Sequence, residues 1–160
     1  MRRMLLLCAV LVIGGCAKSE PPSSESTSTP SEQPAMAAIS LADVAGTWEG
    51  TVTAAGNDTV LTLIELTATA EPTGWVMTVS NAKDPKLTST TPATSVIADG
   101  DSVVVDAGPF ASVLRKGQQV STHTVYRLED GKLVGAIAAT YASTGDVLML
   151  HSVATRKAAQ

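Results

Sequence analysis

Few side chains in this sequence are of the types that carry out catalysis or bind metals. His123 and His151 are its two histidines, and with Glu65 they would supply three metal ligands. A protein-bound metal needs three or four ligands, and the spacing of these three residues matches no ligand motif. No Gly-x-Ser-x-Gly nucleophile motif is present either. We therefore expect no metal, no cofactor and no enzymatic activity. We expect one histidine at the surface and one partly buried, and Glu65 facing solvent or paired with a cross-strand Lys or Arg.

Paired carboxylates could act as a general acid and a general base, but here they occur only at predicted turns. The pairs are Asp99 with Asp101 and Glu129 with Asp130. Asp84, Asp99 and Asp101 do not have the spacing of a calcium-binding loop. We interpret these residues as solvated turn residues, which again favours a protein that is not an enzyme.

The thiol of Cys16 has the clearest chemical role. Two arginines near the start are followed by the apolar run Leu5–Ile13 and then by Gly14 and Gly15. This order is typical of a secretory signal peptide, and the run is far short of the ~20 residues that span a bilayer. The motif Ile13-Gly14-Gly15-Cys16 resembles the lipobox of bacterial lipoproteins. The resemblance implies that residues 1–15 are removed, that a diacylglyceryl group is attached to the Cys16 thiol, and that the new amino terminus is acylated, for example with palmitate.

The same resemblance implies a place in the cell envelope, with the N-terminal lipid as membrane anchor. Three acyl chains would hold the protein firmly, since one chain alone binds only marginally. Ala17, rather than Asp, follows Cys16. By the sorting rule of enteric bacteria this favours the outer membrane of a Gram-negative host, with the domain facing the periplasm or the exterior. The alternatives are a plain signal peptide with a chance cysteine, or a disulfide with Cys8, whose place inside the apolar run argues against pairing.

Residues 16–40 read as the lipidated cysteine and a tether. Of the 24 residues from 17 to 40, 13 are Pro, Ser or Thr. Such composition offers little apolar surface for burial and predicts a disordered segment. The folded domain is therefore predicted to begin at residue 41 and to extend to residue 157.

The charge and the aromatic content exclude nucleic acid as a partner. The chain carries 11 basic and 15 acidic residues, and loss of Arg2 and Arg3 with the signal peptide leaves 9 and 15, a net charge of −6. Nucleic-acid-binding proteins usually carry a basic surplus and often aromatic side chains on which bases stack. This chain has five aromatic residues in all.

The domain reads as all-β, because β-branched residues dominate and helical periodicity is absent. Turn signals such as Asp99-Gly100 and Asp130-Gly131 separate eight predicted strands. Hairpins in sequence with no crossover helix predict a single small antiparallel up-and-down β-barrel, and a two-sheet β-sandwich is the alternative. The predicted strands are Gly46–Ala54, Thr59–Ala68, Gly74–Ser80, Thr94–Ala98, Ser102–Ala107, Val120–Glu129, Lys132–Tyr141 and Val147–Thr155.

The start of the domain resembles the lipocalins and the wider calycin group. A capping-box pattern at Ser40–Asp43 predicts one helical turn, and Gly46-Thr47-Trp48 opens the first strand. The resemblance implies that Trp48 closes one end of the barrel and that a basic residue past the last strand, Arg156, packs across it. It also implies a binding module for a small apolar or amphiphilic ligand. The alternative function is a structural or accessory lipoprotein that docks on an envelope protein.

Two observations bear on where a ligand would bind. Small residues on both faces of the seventh strand, Gly135 and Ala139 on one and Ala136 and Ala138 on the other, leave either tight packing or ligand space. The long connections 81–93 and 108–119 fall at the end opposite Trp48, because successive connections of a meander alternate between its ends. Long loops on a rigid scaffold often hold binding residues. These segments contain a local basic cluster with one aromatic, predicted to engage an anionic group: Lys83, Lys86, Phe110, Arg115 and Lys116.

Overall fold

A computed structural model describes residues 38–158. The predicted signal peptide, Cys16 with its predicted lipidation, and most of the predicted tether lie outside the described residues. A four-residue helix precedes eight strands. The elements are α1 Leu41–Val44, β1 Gly46–Ala54, β2 Val60–Ala68, β3 Val76–Asn81, β4 Thr88–Asp99, β5 Ser102–Ala111, β6 Gln119–Glu129, β7 Lys132–Tyr141 and β8 Val147–Arg156.

The eight strands form one closed barrel in chain order, which confirms the predicted all-β up-and-down barrel and overturns the sandwich alternative. Each strand is antiparallel to the next, and β8 returns to pair with β1. That closing pair extends from Trp48 opposite Arg156 to Ala54 opposite Leu150. Closure pairs both edges of every strand, so no open sheet edge remains in the barrel.

Alternation of side chains decides which residues fill the barrel. In β2 every second residue from Thr62 to Ala68 is buried, while Leu63, Glu65 and Thr67 face outward. Successive side chains of a strand point to opposite faces of the sheet, so one set of each strand forms the core. Within residues 38–158, no helix is long and apolar enough to cross a membrane.

Two strands are longer than the sequence predicts by several residues, and β6 and β8 are each longer by one residue. β4 begins at Thr88 and β5 continues to Ala111, so the long connections shrink to 82–87 and 112–118. The missed segment of β4 is rich in Thr and contains Pro92, so it shows neither apolar alternation nor an uninterrupted strand pattern. In β5, Gly108-Pro109 reads as a turn, but the strand absorbs it as a register shift between Ala107 and Phe110.

The two ends of the barrel differ in their connections. We call one end the helix end: it holds α1 and the connections 69–75, 100–101 and 130–131. We call the other the loop end: it holds the connections 55–59, 82–87, 112–118 and 142–146. The chain joins the barrel at the helix end, where the Ile39 amide donates to the Gly100 carbonyl at 2.8 Å.

Candidate functional site

The helix end is closed by a stack of Arg156 on Trp48. The Trp48 side chain is fully buried, and its Nε1 donates to the Val44 carbonyl at 2.8 Å. The guanidinium carbon of Arg156 lies 4.4 Å from the ring centroid. Gly46 has a φ of +137°, and a Cβ there would come within 2.6 Å of Arg156 Nη1, so a side chain at this position would displace the guanidinium. The structure thus brings Gly46, Trp48 and Arg156 together.

Helix α1 positions the carbonyls that hold Arg156. The Arg156 guanidinium donates to the Asp43 carbonyl through Nη2 at 2.6 Å and to the Ala45 carbonyl through Nη1. The Ser40 amide and hydroxyl both donate to Asp43 Oδ2, at 2.8 and 2.7 Å. The hydrogen bond from the Ser40 side chain lowers the pKa of the Asp43 carboxyl. The cap therefore keeps the helical turn in the shape that these carbonyls need.

The half of the barrel near the helix end is tightly packed. Gly135 faces inward, and a Cβ added there would lie 2.7 Å from Cε1 of Tyr126. The aromatic ring therefore occupies the space that the missing side chain leaves. Burial raises the pKa of Tyr126 to about 12. The small residues of β7 were predicted to allow either tight packing or space for a ligand. At Gly135 the structure shows tight packing.

The half near the loop end contains a small cavity of about 50 Å³. Ala139, the other inward small residue of β7, lines it, as do Val113 and Leu114 from the connection 112–118. Sites for small molecules usually enclose about 300–1,000 Å³. The cavity as it stands holds no more than a very small molecule. Its apolar wall within the barrel includes Val52, Ile64, Met77, Val79, Phe110, Val120, Ile137, Tyr141 and Leu150.

Hydroxyl groups interrupt this apolar lining. Thr122, Thr124 and Tyr126 are successive inward residues of β6, and all three line the cavity with Thr62 from β2. The Thr122 hydroxyl is buried and has no hydrogen-bond partner among the described residues. The same is true of Gln118 Oε1. Leaving such a group unpaired costs about 1–3 kcal/mol. A bound amphiphilic molecule would recover part of that cost by forming a hydrogen bond with the hydroxyl, whereas a pure hydrocarbon would not.

A second concave surface lies outside the barrel at the loop end. It is a groove of about 310 Å³ between the connections 82–87 and 112–118. Its walls include Leu87, Ala111, Val113 and Lys116. Asn81 Nδ2 donates to the Val113 carbonyl at 2.8 Å and so joins the two walls.

The structure divides the predicted basic cluster among different environments. Phe110 is buried in the cavity wall, whereas Lys83 and Lys86 are exposed on the connection 82–87. Lys116 lines the groove. Arg115 Nη1 pairs with Asp146 Oδ2 at 2.8 Å, so the charge of Arg115 is largely neutralised by its partner.

Arg115 also stacks on an aromatic ring of the cavity wall. Its guanidinium carbon lies 4.0 Å from the Tyr141 ring centroid. The hydrogen bond from Arg115 lowers the pKa of the Asp146 carboxyl. Arg115 therefore fastens the connection 112–118 to the connection 142–146.

The histidines and Glu65 lie apart on the outer face. His123 is exposed and contacts Asp106, with 2.7 Å between Nδ1 and Oδ1. His151 is exposed as well, so the prediction that one histidine is partly buried is wrong: alternation turns both toward solvent. Glu65 pairs with Lys157 at 2.8 Å. Between residues 38 and 158 no three His, Cys, Asp or Glu side chains converge as a metal site would require.

The fold and the site together define a closed eight-stranded antiparallel barrel, consistent with a lipocalin-like fold, with one end sealed and a small cavity toward the other. Comparison with family models, with curated proteins and with solved structures found no match.

Sequence reasoning missed the residues that shape the loop end: Asn81, Leu87, Val113, Leu114 and Thr122. One signal was present, because Val113-Leu114 is an apolar pair inside an otherwise polar connection. Such a pair predicts contact with an apolar surface rather than a solvated loop.

Proposed function

We propose that this protein is a membrane-anchored lipoprotein of the cell envelope, and that its barrel binds a small amphiphilic molecule at the loop end. The observation that carries the proposal is the cavity in the loop half, which is apolar but contains the Thr122 hydroxyl, a group with no partner among residues 38–158. An apolar pocket with a few convergent polar groups is the usual form of a ligand site.

The two ends of the barrel support this assignment. Arg156 and Trp48 seal the helix end, where the chain enters the domain. The loop end lies opposite, and half-buried Val113 and Leu114 cover the cavity there. A ligand would therefore reach the cavity from the loop end, opposite the point where Ile39 joins the barrel.

Anchoring is proposed from the sequence motif alone. Cys16 would be the lipidated first residue of the mature chain, in the outer membrane if the host is Gram-negative. The tether would then join the membrane to the helix end.

Native mass spectrometry of the mature, lipidated protein from its own host, in a volatile detergent, tests the binding function. We expect a co-purified small molecule. Ala139→Leu should remove it, because the added atoms fill the cavity. Ala138→Leu is the matched control, since Ala138 is the next residue of β7 and faces outward. Retention of the molecule by Ala139→Leu would contradict binding in this cavity.

An outer apolar face supports docking on an envelope protein as the second candidate. Val147 and Met149, two residues apart on β8, are 57% and 52% exposed. Their partners on β7 are Thr140 and Ala138, which are too small to cover them. Exposed apolar patches often mark interaction sites. Two results together would favour this function over ligand binding. The wild-type protein would co-purify with another protein and with no small molecule, and Met149→Glu would abolish that co-purification.

A further inference from the structure

Two histidines and a methionine lie on one patch of the outer barrel face. His123 belongs to β6, and Met149 and His151 lie two residues apart on β8. All three side chains are exposed. His123 is opposite Ala138 of β7, and Ala138 is in turn opposite Met149. An imidazole and a thioether therefore lie in one row across three strands, with the second imidazole beside the thioether.

The spacing of these three donors suits one metal ion. Neighbouring strands are about 4.8 Å apart, so the Cα atoms of His123 and Met149 are separated by about 10 Å, and those of Met149 and His151 by about 7 Å. Each metal–ligand bond adds about 2 Å, so side chains of this length reach a common ion. Ala138 and Ala136, the outward residues of β7 opposite Met149 and His151, leave the space above the sheet open.

One of the three donors is already oriented by a carboxylate. His123 Nδ1 lies 2.7 Å from Oδ1 of Asp106 on β5. Metal-binding histidines usually donate their other ring N–H to a carboxylate in this way, which fixes the tautomer and leaves Nε2 as the ligand atom. Among residues 38–158, Nε2 of His123 has no hydrogen-bond partner. The same carboxylate places a negative charge near a bound cation.

The third donor decides which metal the patch favours. Glu65, the carboxylate that the sequence offered beside the two histidines, lies on β2 and pairs with Lys157. The third donor is instead Met149, which is 52% exposed. A thioether is a soft ligand that selects Cu(I), whereas imidazole binds both zinc and copper. The set therefore favours Cu(I) over Zn²⁺.

We propose that His123, Met149 and His151 form a Cu(I) site on the outer face of β6 and β8. The ligand atoms are Nε2 of His123, Sδ of Met149 and one ring nitrogen of His151, and Asp106 is a positioning residue for His123. The inference departs from the expectation, made from the sequence, that the chain binds no metal. It also goes beyond the proposed function, because outward residues form this site and inward residues form the cavity.

Competition between the mature protein and bicinchoninate for Cu(I), under anaerobic and reducing conditions, tests the site. The protein is isolated in detergent without a histidine tag. Met149→Leu keeps the size of the side chain but removes the sulfur, and should lower the Cu(I) affinity by about tenfold or more, as His123→Gln and His151→Gln should. Met77→Leu is the matched control, since Met77 lines the barrel cavity, and should change nothing. A thiol elsewhere would bind Cu(I) equally in every variant, so the differences between variants carry the result.

X-ray absorption at the copper edge gives a second measurement. We expect nitrogen and sulfur neighbours in the wild-type protein and the loss of a sulfur neighbour in Met149→Leu. Asp106→Asn should keep the sulfur neighbour but lower the Cu(I) affinity about 10- to 100-fold, the usual effect of removing a group that orients a ligand. Its thermal unfolding without metal should stay unchanged, because exposed ion pairs add little stability.

Two adjacent alanines of β7 separate this proposal from the proposed function. Ala138→Leu places a branched side chain between His123 and Met149, so it should weaken Cu(I) binding and keep the co-purified small molecule. Ala139→Leu acts on the inner face and should do the reverse. Unchanged Cu(I) affinity in Met149→Leu would overturn the metal site and leave the proposed function standing. Equal affinity of the site for Zn²⁺ would overturn the assignment to Cu(I). Cu(I) bound through Met149 with no co-purified molecule would overturn the binding function alone.

Discussion

Arg115 and Tyr141 form at the loop end what Arg156 and Trp48 form at the helix end: a guanidinium stacked on an aromatic ring of the barrel interior. The distances from guanidinium carbon to ring centroid are 4.0 Å and 4.4 Å. The two stacks differ in what holds the arginine. Backbone carbonyls near α1 fix Arg156, whereas a single exposed carboxylate, that of Asp146, holds Arg115. The helix end is therefore the more permanently closed of the two.

Trp48→Ala should lower the free energy of unfolding by about 3–5 kcal/mol, because it empties a large volume in the core. Arg156→Ala should cost less, about 0.5–2 kcal/mol for the stack. Urea denaturation measures both, with Arg127→Ala, an exposed ion-pair residue at the same end, as control. Equal stability of Trp48→Ala and the parent protein would contradict closure by this residue.

Gly135→Val should destabilise the barrel by about 1–3 kcal/mol through overpacking. The added carbon atoms would meet the Tyr126 ring and the Ser152 hydroxyl, which already fill the space beside Gly135. Ala136→Val is the control on the outward face of the same strand, and should be close to neutral. Thermal unfolding of the two variants decides the question, and a neutral Gly135→Val would refute the tight packing.

Asp146→Asn should loosen the connection 112–118. The lowered pKa of Asp146 means that its ionised form is favoured in the folded state. Its contribution is present above the ordinary pKa of 3.8 and is lost as the pH falls below that value through the folded-state pKa. Protection of residues 112–118 from hydrogen exchange, measured relative to the intrinsic rate at each pH, should therefore fall in Asp146→Asn at neutral pH, and in the parent protein only below about pH 4.

The matched control for that experiment is Asp101→Asn. Asp101 also has a lowered pKa, first from the Ser102 hydroxyl and then from Arg127, but it lies at the helix end. Its replacement should leave exchange at 112–118 unchanged. If both variants lowered the protection of residues 112–118 from hydrogen exchange to a similar extent, general destabilisation would explain the result, and loss of the ion pair between Arg115 and Asp146 would not.

Cys16→Ser should abolish labelling of the protein by a radioactive fatty acid in growing cells, because serine lacks the thiol that receives the diacylglyceryl group. The variant should also leave the membrane fraction or accumulate unprocessed. Cys8→Ser, within the predicted signal peptide, is the control and should label normally. A labelled, membrane-bound Cys16→Ser would show that the lipobox interpretation is wrong.

Part of the loop-end site was within reach of sequence reasoning. Phe110, Arg115 and Lys116 follow from the alternation of connections between the two ends, which depends only on strand order. The pairing of Arg115 with Asp146 does not, since the residues are 31 apart in the chain and meet only across the barrel mouth. The basic cluster therefore looked more positive in the sequence than it is in the structure.

Local patterns determined the architecture of this protein. Period-two alternation and hairpin turn signals are set by neighbouring residues, so eight strands and their antiparallel order could be predicted from the sequence. The closure near Trp48 was predicted from the resemblance of Gly46-Thr47-Trp48 to the lipocalins, not from these patterns. Tertiary structure alone decided how the space inside was used. Tyr126 fills the place beside Gly135, a cavity of about 50 Å³ remains near Ala139, and Val113 and Leu114 cover it. These outcomes depend on which side chains from distant strands meet in a closed barrel, and no local pattern encodes that.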